Sequence, residues 1–419
     1  MIKYKEINVM YNYDDNNWSL DIAEPQYSKI TLLGDKACFQ KESFAKAIIR
    51  HITKDVEAGK TYKFSVKLSM ENVQSVIYPY AIVGFMAENG SFLERIFANN
   101  TDKSGTEKEL VFTVPENTVA LRIELGLKGC GKVQWQIPTV EECEKPEVKK
   151  AKLASVYVPT CSTLEEALDK IVKGVDKAAG EHKADLVALS EVIYDFGAGL
   201  PIPETSENLR EGGTFLNAMK AKAKQYSCYI VANLHEKDDD NHYYNTSVLI
   251  GRDGEIVGKY SKTHNSMSEF EKGLTPGNEY PVFDTDIGKI GMLICWDAYF
   301  PEPARMLTQN GADLIVVSTV GDAAYRHVAR AMENGVYVLV SGNHFANLNN
   351  CGILPCKIID PQGHVLSQTI NENSPAVAEV DLGYKLRTGY LSIPGTMTDP
   401  HNIYANDRRP DIYKQLSEF

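Results

Sequence analysis

The sequence predicts a chain of two parts, an all-β sandwich over residues 1–146 followed by a layered α/β domain over residues 151–419. Three observations carry that prediction. Residues 20–138 run in short segments of period-two alternation broken by turn signals, with hardly a helical stretch. The stretch EECEKPEVKKAK over residues 141–152 is charged, poor in apolar groups and contains Pro146, so it reads as an exposed linker. Beyond it, apolar runs of strand length alternate with amphipathic stretches of helix length. At 419 residues the chain is long for a single core, which agrees with a division in two.

In the first part, TYKFSVKLSM (61–70) follows the turn-like EAGK, and AIVGFMAENGSFL (81–93) carries an Asn-Gly hairpin signal. ELVFTV and VALRIELGL alternate before GCGKVQWQI closes the set, a spacing that fits two packed sheets. The order of these segments resembles the jelly-roll modules appended to glycan-active enzymes. That resemblance implies an accessory domain and a glycan contact through Trp18, Tyr78, Tyr80 and Trp135, although aromatic rings in a sandwich more often fill its core.

In the second part, SVYVP reads as a strand and STLEEALDKIVKGVDKAAGEH as a helix capped by Ser162, with acids in its first turn. ADLVALS is the next strand. GTFLNAMKAKAKQYS, PEPARMLTQNG and AYRHVARAMENG read as helices, and CYIVANL, YNTSVLIG, KIGMLIC, ADLIVVS and VYVLVSG as strands.

Composition narrows the function. Hydrophobic residues make up 43% and charged residues 24% of the chain, which excludes a disordered or fibrous reading. A formal net charge of -12 repels phosphate backbones and anionic membranes, so neither nucleic acid nor membrane is an expected partner. No apolar run approaches the roughly 18 residues of a span, and residues 1–17 lack a basic-then-apolar signal, so a soluble cytoplasmic protein is expected. The 8 cysteines form no C-x-x-C pair; Cys351 and Cys356 flank GILP without a second ligand pair. No metal and no organic cofactor is expected.

In layered α/β domains, reactive groups gather where strands end. Glu191 follows ADLVALS, Cys295 ends KIGMLIC, and Lys262 follows EIVGKYS: an acid, a thiol and an ammonium at three such ends. Taken singly, each has an ordinary explanation as a cap, a packed thiol or a solvated lysine. Together they have a family precedent. ADLVALSE, GKYSKTH and GMLICWDAYFPEPAR resemble the glutamate, lysine and cysteine segments of the nitrilase superfamily of carbon-nitrogen hydrolases. YNTSVLI, GLTPGNEYPVFDT, HVARAMENGVYVLVSGN and RRPDIY have counterparts there in the same order.

This resemblance implies a four-layer α-β-β-α catalytic domain, a homo-oligomer, and a Glu-Lys-Cys triad of Glu191, Lys262 and Cys295. Cys295 is then the nucleophile, Glu191 the general base, and Lys262 with the Trp296 backbone N–H the stabiliser of a developing oxyanion. A second glutamate is expected after the lysine, with Glu271 preferred over Glu269. His264 is a candidate for substrate binding; a papain-like Cys-His pairing through it is the rejected alternative. His327 and His344 read as structural or rim residues. Ser190 stands where the family usually has proline, which is expected to loosen that strand end. Trp296-Asp297 after the nucleophile resembles amidases and carbamoylases rather than nitrilases proper. The expected partner is a small amide, carbamoyl or nitrile compound. A binding protein that keeps the fold with a dead site is the rival class.

Overall fold

The computed structural model describes residues 8–10, 18–101, 104–146, 148, 150–321, 323–343, 352–383, 388–389, 395–399 and 413, with backbone alone at 8–10, 75–78 and 388. The chain divides into two compact units, Met1–Glu147 with Leu386–Phe419, and Val148–Lys385.

Apart from the short helical turn Pro25–Tyr27, the described elements of the first unit are strands. Two long strands, Thr61–Met86 and Ala120–Gln136, form its spine and pair antiparallel from Ala120 opposite Met86 to Trp135 opposite Leu68. The segments 61–70 and 81–93 were expected as separate strands. Register shifts between Gly126 and Lys132 let the first continue to Met86, because a bulge bends a strand without ending it. The Asn-Gly signal does mark a hairpin: Gly90, at φ 78°, turns the chain into Phe92–Phe97.

Trp18, Tyr80 and Trp135 are buried, Trp135 completely, so they do not form the exposed stacking row expected for a glycan contact. Trp135 lies two residues after buried Val133, on the inward face of an alternating strand, where its area contributes to the core. The Tyr78 side chain lies outside the described residues. The second unit also stops at Lys385 rather than 419, because Met397 pairs in parallel with Ile96 of the first unit.

The second unit holds two six-stranded sheets. One runs in the order Ile256–Ser261, Tyr243–Ile250, Tyr229–Lys237, Leu186–Ala188, Lys150–Ser155, Ala376–Asp381. The other runs Val282–Thr285, Gly288–Ile294, Leu314–Thr319, Tyr337–Gly342, Cys356–Ile359, Val365–Thr369. Leu153, Leu186, Met292 and Val316 belong to the core cluster they share. Buried serines fasten the faces: Ser155 Oγ donates to the Val340 carbonyl at 2.7 Å and Ser318 Oγ to that of Leu189 at 2.9 Å. Helices Leu164–Val175 and Thr214–Tyr226 cover the first sheet through Ile171, Phe215 and Met219. Pro301–Gln309 and Tyr325–Asn334 cover the second through Leu307 and Ala331. The layers therefore run helix, sheet, sheet, helix.

Two local expectations change. The first helix is capped by Thr163, whose Oγ1 accepts the Glu166 N–H at 3.2 Å; Ser162 lies one residue outside, its N–H donating to the Glu166 carboxylate. Ser190 does not loosen its strand end: it is fully buried with Oγ 3.3 Å from Ser341 Oγ on the facing sheet, a tether that proline cannot make. Because the second unit has its own two-sheet core and both helical covers, a fragment spanning 148–385 is expected to fold alone with one cooperative thermal transition. Far-UV circular dichroism on heating checks this, and a broad, gradual melt contradicts it.

Candidate active site

The first sheet delivers a carboxylate and the second a thiol to one place. Leu186–Ala188 runs parallel to its neighbours and leads into a turn bearing Glu191, whose Oε2 accepts the N–H of Val320, just beyond Leu314–Thr319 of the other sheet, at 2.9 Å. Glu191 Oε1 accepts from Lys262 Nζ at 2.8 Å and from Asn245 Nδ2 at 2.8 Å.

Lys262 follows the strand Ile256–Ser261 and is 2% exposed. Its ammonium also donates to both oxygens of Glu269, at 3.0 and 2.8 Å. Burial alone pushes this lysine toward its neutral form, but the Glu191 and Glu269 carboxylates outweigh it and raise its pKa, so the charge is fixed. Glu269 feels the converse. Burial pushes its pKa up, and the Lys262 charge with hydrogen bonds from Lys262, Asn245 and the Ser266 N–H brings it below the usual carboxylate value.

Glu271, the acid preferred from sequence, is exposed at the end of the short helix Met267–Glu271, so Glu269 takes the place expected for it. Two residues along a helix turn a side chain by about 200°, so both acids cannot face one ammonium. The deciding signal lay in the sequence: Ser266-Met267-Ser268-Glu269 has capping-box spacing, and Glu269 Oε2 accepts the Ser266 N–H at 2.7 Å while holding the lysine.

Asparagines missed by the sequence reading orient the acids. Asn245 Nδ2 bridges Glu191 and Glu269, at 2.8 and 2.7 Å, and Asn233 Nδ2 donates to Asn245 Oδ1 at 3.0 Å. Asn233 Oδ1 accepts the Val192 N–H at 2.7 Å, pinning the turn that carries Glu191.

Cys295 ends the strand Gly288–Ile294 at φ 43°, a left-handed conformation that costs energy in a residue with a Cβ and aims the side chain out of the strand's line. The residue is partly open to a cavity of about 680 Å³, while its thiol is largely enclosed by protein. Burial, then the Glu191 charge, push the thiol's pKa up to about 12 against the opposing pull of Lys262. At rest it is a thiol.

Asp297 locks the Cys295 turn to the lysine segment. It is wholly buried; Oδ2 accepts from the Ile294 N–H and Tyr260 hydroxyl at 3.0 and 2.7 Å, and Oδ1 from the Thr263 hydroxyl and His264 N–H at 3.1 and 3.0 Å. His264, expected at the substrate, instead puts Nδ1 3.0 Å from Asp297 Oδ1, stacks on Phe300 and does not line the cavity. Trp296 does line it, 40% exposed and packed on Tyr299. His327 is buried, whereas His344 and Cys351 lie outside the described residues. Among the described residues, the acid and imidazole cluster close enough to hold a metal is Asp238, Asp240 and His242, a turn that does not line the cavity.

A buried carboxylate, ammonium and thiol in one cavity suit attack on a polarised carbon. The family model for carbon-nitrogen hydrolases matches residues 152–387. The chain belongs to that family. This carbon-nitrogen hydrolase of the nitrilase superfamily is 30% identical over 282 residues to a probable nitrilase of Schizosaccharomyces pombe, covering 64% of this chain and 98% of the relative. It is 31% identical over 255 residues to a deaminated glutathione amidase of Dictyostelium discoideum, covering 54% of this chain and 86% of the relative. Among solved structures, its fold is similar to that of a carbon-nitrogen hydrolase from Helicobacter pylori G27, with TM-score 0.51 and 20% identity over 65% of this chain and 99% of that one. For this hydrolase, Asp297→Ala leaves two N–H groups and two hydroxyls without their acceptor. The expected loss is about 3 kcal/mol or more of stability, read from urea midpoints; a loss below about 1 kcal/mol would show that the lock is dispensable.

Proposed function

We propose that the hydrolase cleaves a non-peptide C–N bond, in an amide or an N-carbamoyl amine, through a thioester on Cys295. The observation that carries this reading is the Lys262 ammonium held between Glu191 and Glu269 in the cavity that Cys295 also lines. A carboxylate has about four lone-pair sites, and Glu191 receives three donors, which leaves room for a thiol proton.

Cys295 Sγ attacks the carbonyl carbon as its proton passes to Glu191, because a thiol with a pKa near 12 does not ionise first. Charge develops on the carbonyl oxygen, stabilised by Lys262 and by the Trp296 N–H in the first turn of the helical segment Cys295–Tyr299. Collapse breaks the C–N bond, and Glu191 returns the proton to the departing amine. Water then adds to the thioester, losing its proton to Glu191, which passes it to the departing sulfur. Glu269 keeps Lys262 charged and in place. Trp296-Asp297 supports an amide over a nitrile, and the seven described cysteines, all free, support a cytoplasmic location. Exposed Met267 and Phe270 beside the cavity support a homo-oligomer. The jelly-roll reading of the first unit rests on its antiparallel strands and common core.

Incubation with a pooled panel of amides, N-carbamoyl amines and nitriles, followed by ammonia release and intact mass, tests the reaction class. Cys295→Ala is expected to abolish turnover. Glu191→Gln retains a hydrogen-bonding oxygen but cannot take the thiol proton, and should slow single-turnover acylation by a factor of about 100 or more. Lys262→Met removes the oxyanion's charge partner, with a similar fall. Acylation of Glu191→Gln at the wild-type rate would remove that residue as the base.

A further inference from the structure

The cavity contains a second polar pair that the reaction above does not use. Asp195 lies on the turn after Glu191 and His235 on the strand Tyr229–Lys237, and both line the cavity wall. Asp195 Oδ2 accepts from His235 Nδ1 at 2.7 Å and from the Thr205 hydroxyl at 2.6 Å. A carboxylate can only accept at that distance, so Nδ1 carries the proton, and whenever the ring holds a single proton Nε2 is the acceptor. The Asp195 side chain is 7% exposed, and its Oδ1 is buried without a hydrogen-bond partner. Such an atom is costly, and it leaves the carboxylate charge only partly offset.

The register fixes where this pair stands. His235 pairs directly with Asn245, the residue that bridges Glu191 and Glu269, and residues opposite one another share a face of the sheet. The pair is therefore the immediate neighbour of the catalytic cluster along the cavity wall. Its charge leans the same way as the cavity's: Glu191, Asp195 and Glu269 line it against Lys262 and Lys272, and two of those carboxylates are committed to Lys262.

Resting on the amide-hydrolase reading, we infer that Asp195 and His235 form a specificity site for an amide whose far end carries an ammonium or guanidinium group. His235 Nε2 accepts its N–H, while Asp195 sets the ring's tautomer and supplies the negative charge behind it. Anionic amides are disfavoured there by the same charge.

The test compares 4-aminobutanamide, 5-aminopentanamide and 6-aminohexanamide with pentanamide, hexanamide and heptanamide, in which methyl replaces the ammonium. The full-length enzyme is expected to prefer at least one ammonium member by about tenfold or more in kcat/KM and in calorimetric Kd. His235→Ala and Asp195→Asn should each bring that ratio near one, and His235→Gln, which keeps an acceptor, should restore part of it. A purely structural role would lower both series equally and leave the ratio unchanged, which overturns the inference. So does a wild-type ratio of one at every length. Discriminating binding without ammonia release would instead overturn the hydrolase reading and leave this site standing.

Discussion

A buried ammonium cannot remain charged unless its surroundings hold it so, and the catalytic unit is arranged around meeting that condition for Lys262. Two carboxylates share its three protons, one from the turn after a parallel strand and one from a capping box on a five-residue helix. Removing either acid leaves a buried charge under-compensated, which is costlier than the pair is stabilising. Asn245 and Asn233 follow from the same need: two carboxylates this close repel, and amide donors between them relieve that repulsion.

The two sheets must also hold their register, because the acid comes from one and the thiol from the other. Serine hydroxyls reaching across to facing carbonyls fasten the sheets near the strand ends, and Asp297 ties the Cys295 turn to the lysine segment. Rigidity here serves chemistry. A left-handed cysteine is tolerable only where its neighbours fix the backbone on both sides.

Much of this was legible in the sequence, for identifiable reasons. Strand and helix periodicity gave the layered domain, and the strand ends together with the family resemblance pointed to Glu191, Lys262 and Cys295, which line one cavity. What escaped depended on direction rather than identity. Glu269 and Glu271 differ by two positions, and only the helix phase decides which of them faces Lys262; the capping-box spacing held that answer. Asn233, Asn245 and the Asp195–His235 pair are polar residues in or beside strands, unremarkable until cross-strand register sets them side by side. The burial of Trp135 and the pairing of Met397 with Ile96 are long-range outcomes that no local pattern encodes.

The protonated state of Cys295 has a consequence for covalent chemistry from outside. Oxidants and soft alkylating agents react with thiolates, so the burial and the Glu191 charge that raise the Cys295 pKa work against peroxide and indiscriminate labels while the site is empty. A small molecule designed to capture it therefore gains more from carrying a carbonyl or similar group into the reach of Lys262 than from intrinsic electrophilicity. Such a compound would be selective through the enzyme's own activation step, and it would spare cysteines that are merely exposed.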